Sequence, residues 1–209
     1  MKTTAFEFAL SIEKRIEALS TEQYHNRPRT VKRLIEELYP LSRLALQLKQ
    51  PGLAVDIEAY ENSGRADGHI WLSGYLVRDF DVQVTFAGYG EKEALRSALM
   101  AQQGFAPGAG PIEMDKKTKK IIATMEAQDY YAPIKTLGAS INTCVQKKLQ
   151  KKYASGTVLL VAFEDMRLRG RGWWKLLYEA VDETGGIEAG NFAQVYLFNG
   201  CSNELHQVA

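Results

Sequence analysis

Six apolar residues in a row, Val158-Leu159-Leu160-Val161-Ala162-Phe163, are flanked by Gly156-Thr157 on one side and Glu164-Asp165 on the other. A strand presents a face to each side of its sheet, so a run without polar alternation predicts cover on both faces. Strands buried in that way pair in parallel with a neighbour, and parallel pairing needs a long crossover, usually helical. The rest of the chain must therefore supply helices to this strand.

It contains the patterns to do so. Phe8, Ile12, Ile16 and Leu19 recur at helical spacing, and Val31, Leu34, Ile35, Leu38, Leu41, Leu44, Ala45 and Leu48 trace a second stripe. Pro40 falls inside that stripe and is expected to kink it or split it in two. At Leu53 the period changes. "LAVDIEAY" alternates apolar and polar residues, "SGRADG" reads as a turn, and "HIWLSGY" and "DVQVTFA" read as two further strands joined by "LVRDF". Short connections between consecutive strands predict an antiparallel meander. "GYGEKEALRSALMAQQG" then opens a helix with Glu91 and Glu93 at its positive end. Ile134, Leu137, Ile141, Val145 and Leu149 mark a long helix, "GWWKLLYEAVDE" another, and "FAQVYLFNG" a last strand. The expected fold is α/β: a mixed sheet with an antiparallel three-strand meander followed by parallel strands, flanked by helices. No linker or repeat interrupts it. One domain is expected, with a helical extension over 1–29, a core over 30–163 and a helix–strand extension over 164–209.

The 209 residues are 45% hydrophobic, enough for a sizeable core, and carry a formal net charge of +1. No global field announces a nucleic-acid partner. Charge is clustered locally instead, in "KKTKK" (Lys116, Lys117, Lys119, Lys120) and "KKLQKK" (147–152), which read as solvated faces or as backbone-binding patches. Cys144 and Cys201 have no metal-ligand spacing and fit a reducing, cytoplasmic setting. No run approaches a membrane span, so no membrane is expected as a partner. The three histidines are scattered, and no GxSxG, HExxH or phosphate-cradling glycine loop occurs.

The chemistry-bearing residues lie in the meander. Asp67 stands at the mouth of its second strand, and Gln83 and Thr85 lie two apart on the third, hence on one face. Pairing of the two strands would bring an acid beside an amide oxygen, half of a site for a hard cation such as Mg²⁺. Each residue also has an ordinary reading. Asp67-Gly68 is a common turn pair, Glu37 lies one helical turn from Arg33, and Gln83 could be a satisfied polar residue in a sheet.

Helix, three-strand meander, helix and buried strand, with Ala66-Asp67 on the second strand and Gln83-Val84-Thr85 on the third, resembles the restriction-endonuclease-like PD-(D/E)XK nuclease superfamily. "DVQVT" looks like the "VEVT" variant of poorly characterised, mostly prokaryotic members. The resemblance implies a metal-dependent phosphodiesterase acting on DNA or RNA. Asp67, Gln83 and the Val84 carbonyl would hold Mg²⁺, joined by Glu36 or Glu37 from the preceding helix. Two residues depart from the pattern: Gln83 is neutral where an acid is usual, and Thr85 replaces the lysine. Lys92 and Arg96 are the cations nearest in sequence to replace it, and Arg96 and the 116–120 lysines would meet the nucleic-acid backbone. The alternative keeps the fold without catalysis, as a nucleic-acid-binding or protein-interaction module. A third reading is a homo-oligomeric structural protein.

Overall fold

The computed structural model describes residues 1–61, 66–88, 90–108, 110–127, 129, 131–168 and 170–209. Ser63, Gly64 and Arg65 of the expected "SGRADG" turn, Tyr89 of "GYG" and Ala109 of "GFAPGAG" lie outside the described residues.

Strand β7 (Val158–Phe163) is buried at every position. Val158, Leu160 and Ala162 join one core cluster, while Leu159, Val161 and Phe163 join another on the opposite face. Alternate side chains of a strand point to opposite faces, so six apolar residues line two cores at once. On the first face pack α1 (Ala5–Glu17) and α4 (Tyr39–Gln47), through Ala5, Leu41, Leu44 and Ala45. On the second pack α6 (Ala132–Leu149) and α7 (Arg171–Asp182), through Ile134, Leu137, Ile141, Val145, Trp174 and Leu177.

The meander forms as expected, from β2 (Leu53–Ala59), β3 (Gly68–Gly74) and β4 (Arg78–Phe86), all antiparallel. β4 then pairs in parallel with β7, and β7 with β8 (Gln194–Asn199). Two short strands that periodicity does not reveal close the edges: β1 (Thr3–Thr4) beside β2, and β9 (Glu204–Gln207) beside β8. The order is β1-β2-β3-β4-β7-β8-β9. Between β4 and β7 run α5 (Glu91–Gln103), a hairpin of β5 (Ile112–Met114) and β6 (Ile121–Ala123), and α6. The lysines of "KKTKK" occupy the loop of that hairpin. Among the described residues no helix is long and apolar enough to cross a membrane.

Pro40 neither breaks nor splits the second helical stripe. After α2 (Thr21–Asn26), α3 (Arg29–Arg33) passes into a π-helical turn (Leu34–Leu38) and then into α4. The Tyr39 N–H reaches back five residues to the Leu34 carbonyl. Proline lacks an N–H and its ring crowds the carbonyl four residues earlier, so a widened turn keeps the chain helical.

Helices α6 and α7 meet at Gly138. A Cβ there would lie 2.8 Å from the backbone carbon of Ala180 and 2.9 Å from its oxygen. Alanine favours a helix over glycine by about 1 kcal/mol, but overpacking costs about 1–3 kcal/mol, and backbone cannot yield as a side-chain tip can. Gly138→Ala is therefore expected to lower the thermal midpoint by roughly 2–4 °C, the equivalent of a net 1 kcal/mol in a chain this long. An unchanged or higher midpoint would show that α6 and α7 separate freely.

Candidate functional site

Pairing Gly68↔Val82 sets Asp67 opposite Gln83. The Asp67 N–H donates to the Val82 carbonyl at 2.9 Å, and its own carbonyl accepts from the Tyr60 N–H at 3.0 Å. Asp67-Gly68 is thus a strand entry rather than a plain turn. Gly68 is tied to its place, since a Cβ would come within 2.6 Å of Leu41 and 2.9 Å of the Glu58 carbonyl.

Because β3 begins at Gly68, no residue of it pairs with Val84. Along a strand the N–H and C=O of alternate residues face the same neighbour, so Val84 shares the direction of Val82, toward β3. Side chains complete the ladder there. Asp67 Oδ2 accepts from the Val84 N–H at 2.7 Å and also from Gln83 Nε2, which donates in addition to the Val84 carbonyl at 3.0 Å. Facing two acceptors, the amide must present its NH₂ end. Val84 points its side chain into the first core, and the neighbouring positions Gln83 and Thr85 face the α6 side.

Helix α6 runs along β4 on that side. Ser140 Oγ donates to the Gly88 carbonyl at 2.7 Å, and Cys144 Sγ lies 3.6 Å from the Phe86 carbonyl. Four helical residues rise about 6 Å and two strand residues about 6.6 Å, so the two repeats keep step. One further step matches Lys148 with Val84. The charges agree with this placement. Burial pushes the Lys148 ammonium below its ordinary pKa, while the carboxylates of Asp67 and Glu37 oppose the shift. Burial raises Asp67 against the Val84 N–H and the charges of Lys148 and Arg33. Glu37 is raised by burial and then by the charge of Asp67. Burial likewise raises the Tyr153 phenol, with the Asp67 charge adding to it.

Of the two adjacent glutamates, Glu37 is the one whose charge reaches Asp67. Its Oε2 lies 3.5 Å from Arg33 Nε, and Arg33 Nη2 donates to the Tyr60 carbonyl at 2.6 Å. Glu36 is engaged elsewhere, 3.3 Å from Arg27 Nη1 and 3.8 Å from Lys32 Nζ. Arg27 also bonds to Glu164 and completes the wall of a cleft of about 710 Å³ that continues along α6 past Thr143, Cys144 and Lys147. Thr85 pairs with Val161 at the sheet's centre. Lys92 is exposed on the first turn of α5, whereas the cations felt at Asp67 are Lys148 and Arg33. Arg96 clamps its own loop, donating to the Pro107 carbonyl at 2.6 Å and the Gly110 carbonyl at 2.8 Å. Lys116, Lys117, Lys119 and Lys120 are exposed around the β5–β6 loop, shaped by Asp115, whose Oδ1 accepts from the backbone of Lys117 and Thr118. His69 shares the Asp67 face and is held at 2.7 Å by Asp81 and 3.1 Å by Asp79.

Do these residues suit Mg²⁺? Among the described residues no three His, Cys, Asp or Glu side chains converge on a point. Two oxygens do: Asp67 Oδ2 and the Val84 carbonyl, both in reach of the single atom Gln83 Nε2. A carboxylate and a carbonyl are hard donors, and Mg²⁺ takes few protein oxygens and keeps several waters. At this point Gln83 presents its NH₂ group, so the arrangement supplies two hard oxygens and no third side-chain ligand among the described residues.

Asp67 titrates above its ordinary range because burial outweighs its donors. The folded state then holds the proton at pH values where the unfolded chain has lost it, so stability falls as pH rises through that window. Asp67→Asn keeps an oxygen for Val84 and Gln83 while removing the charge, so it is expected to raise the thermal midpoint at pH 7. The gain should disappear on acidification to below about pH 3.9, where both states are protonated. A lower midpoint at pH 7 would mean that Lys148 and Arg33 more than compensate the burial.

Compared with protein-family models, with curated proteins and with solved structures, the chain matches none of them.

Proposed function

We propose that the protein is a metal-dependent phosphodiesterase of nucleic acids, with its centre at Asp67, Gln83 and the Val84 carbonyl. The observation that carries this reading is the meeting of a carboxylate, an amide and a backbone carbonyl where β3 begins, within the field of the Lys148 and Arg33 charges. Mg²⁺ held there would activate water and neutralise charge on the phosphate. The remaining work falls to the chain. The Lys148 ammonium, carried on α6 in step with Val84, holds a phosphate oxygen where charge builds, a task for which Thr85 has no cation. Glu37 positions Arg33 and adds negative charge beside Asp67. The cleft lined by Arg27, Lys32 and Lys147 lies along the same helix and accommodates the flanking chain. Lys116, Lys117, Lys119 and Lys120 grip the sugar-phosphate backbone without reading bases.

Nicking of supercoiled plasmid and cleavage of a labelled RNA, each with Mg²⁺ or Mn²⁺, test the reading. Asp67→Ala is expected to abolish the activity, and Lys148→Met to reduce it by roughly 10²–10³-fold, as loss of one charge-stabilising donor does. Equal cleavage by the wild type and Asp67→Ala would refute the assignment.

The neutral Gln83, whose NH₂ occupies the convergence point, favours a second reading: nucleic-acid binding without turnover. Binding would then weaken with salt as counterions are released. Reversing Lys116, Lys117, Lys119 and Lys120 to Glu is expected to flatten the salt slope on duplex DNA by up to about 3.6 log units per log unit of salt, at roughly 0.9 per contact. A slope unaffected by the four changes would remove the hairpin from the interface.

A further inference from the structure

The second face of the sheet is covered only in part. Helices α6 and α7 pack on β7 and β8, and no residue of β2 or β3 joins that core. On this side of the meander the pairings Glu58↔His69↔Asp81 and Asp56↔Trp71↔Asp79 form two rows of three. Strand spacing and the two-residue repeat set the four carboxylates at the corners of a rectangle of about 10 by 7 Å. His69 and Trp71 lie on its midline, their ring centres 4.4 Å apart. An antiparallel sheet can face water on one side, and such a face ordinarily mixes both signs of charge. Here the strands supply four acids, no Lys or Arg, and a half-buried tryptophan in their midst.

The face already receives cations from its own chain. Lys2 Nζ lies 4.6 Å from the centre of the Trp71 ring and 3.2 Å from Asp56 Oδ2, and the Met1 ammonium lies 2.6 Å from Glu58. Both corners on β2 are therefore paired. On β4, Asp81 stands 2.7 Å from His69 Nδ1 and Asp79 stands 3.1 Å from Nε2. A neutral imidazole carries one N–H, so it donates to only one of these carboxylates. Among the described residues no Lys or Arg pairs with either, and the Asp79 side chain is 64% exposed. The complementary surface is the β5–β6 loop. Its lysines 116, 117, 119 and 120 are exposed, and among the described residues none forms an ion pair. The loop is closed on itself: the Asp115 N–H donates to the Lys120 carbonyl, and the Lys119 N–H donates to the Asp115 carbonyl, both at 2.9 Å. A loop held in this way loses little freedom on docking.

We propose that the uncovered acidic face binds the 115–120 loop of a second copy of this chain, with its ammonium groups seated against Asp79 and Asp81 beside Trp71. The contact joins two different surfaces, so each copy keeps a free loop or a free face unless the assembly closes into a ring. A six-residue loop on a face of this size belongs with small, transient interfaces, and its strength is mainly electrostatic. The proposal does not depend on the metal site or on cleavage. It does make the acidic face a competitor of nucleic acid for the same lysines.

Sedimentation from about 10 μM to about 1 mM protein, the range in which weak contacts assemble, tests it. Mass is expected to rise with concentration in 0.1 M salt and to stay monomeric in 1 M salt, as the screening length falls from about 10 Å to about 3 Å. Two charge reversals follow: Lys116→Glu, Lys117→Glu, Lys119→Glu and Lys120→Glu in the loop, and Asp79→Lys with Asp81→Lys on the face. Each is expected to weaken self-association at least about tenfold. Mixed together, the two variants should associate with one another, because each then meets a surface of opposite sign. Should the double face variant fail to fold, Asp79→Lys alone, at the more exposed carboxylate, replaces it. Association that persists in 1 M salt or in either variant, or a mixture that stays monomeric, would overturn the proposal. So would a wild type that remains monomeric throughout yet binds a synthetic peptide of residues 115–121, which would give the face to a foreign basic partner.

Discussion

The site depends on where β3 begins. Had that strand started two residues earlier with regular pairing, the N–H and C=O of Val84 would be occupied by backbone, and Asp67 would be one more side chain along a ladder. Starting at Gly68, the strand leaves one donor and one acceptor of β4 facing its end. Unpaired backbone groups in a buried place are costly, so side chains complete the ladder. Asp67 takes the donor and Gln83 takes the acceptor, and in doing so they turn toward one another. A carboxylate, an amide and a carbonyl are thereby gathered by an ordinary requirement of sheet termination.

The second determinant is the widened turn that accommodates Pro40. Glu36 and Glu37 are neighbours in sequence and equivalent by composition, yet they serve different parts of the molecule. Glu36 belongs to the Arg27–Glu164 network, which ties the connection after α2 to the end of β7. Glu37 belongs with Arg33, Tyr60 and Asp67. A π-turn changes the angular step between residues, and here it contains both carboxylates together with the buried Leu34, Ile35 and Leu38. Without Pro40 no feature of the stripe would call for it.

The sheet could be read from the sequence because its signals are long. Six unbroken apolar residues mark β7, and alternation over seven or more residues marks β2 and β4. The shared face of Asp67 and Gln83 follows from a short hairpin and a period of two. Strands of two to four residues, such as β1, β5, β6 and β9, carry too few positions for a period to emerge. The choice between Glu36 and Glu37 was hidden by a turn whose period is not 3.6. Arg96 is held by Glu93, 3.6 Å away one turn earlier, and by two backbone carbonyls, and the carbonyls leave no trace in side-chain chemistry. Lys148 did leave a signal: Ser140, Cys144 and Lys148 recur every four residues, but that stripe means nothing until α6 is known to cross β4.

Placing the cation on a helix rather than on β4 has a mechanical consequence. A lysine at position 85 would be held by the sheet ladder itself, whereas Lys148 is held only as firmly as α6. That helix is fixed by Ile134, Leu137, Ile141 and Val145 against the sheet, by Cys144 and Ser140 against the carbonyls of Phe86 at the end of β4 and Gly88 just past it, and by the close approach of Gly138 to Ala180. Gly138 lies ten residues from Lys148, roughly 15 Å along the axis, so a small tilt at the α7 contact is carried to the ammonium. The long stem of lysine can absorb part of such a tilt by changing rotamer, but burial limits how far the charge can retreat from Asp67 and Glu37. The electrostatics of the site are thus set by helix packing as much as by the residues that touch one another within it.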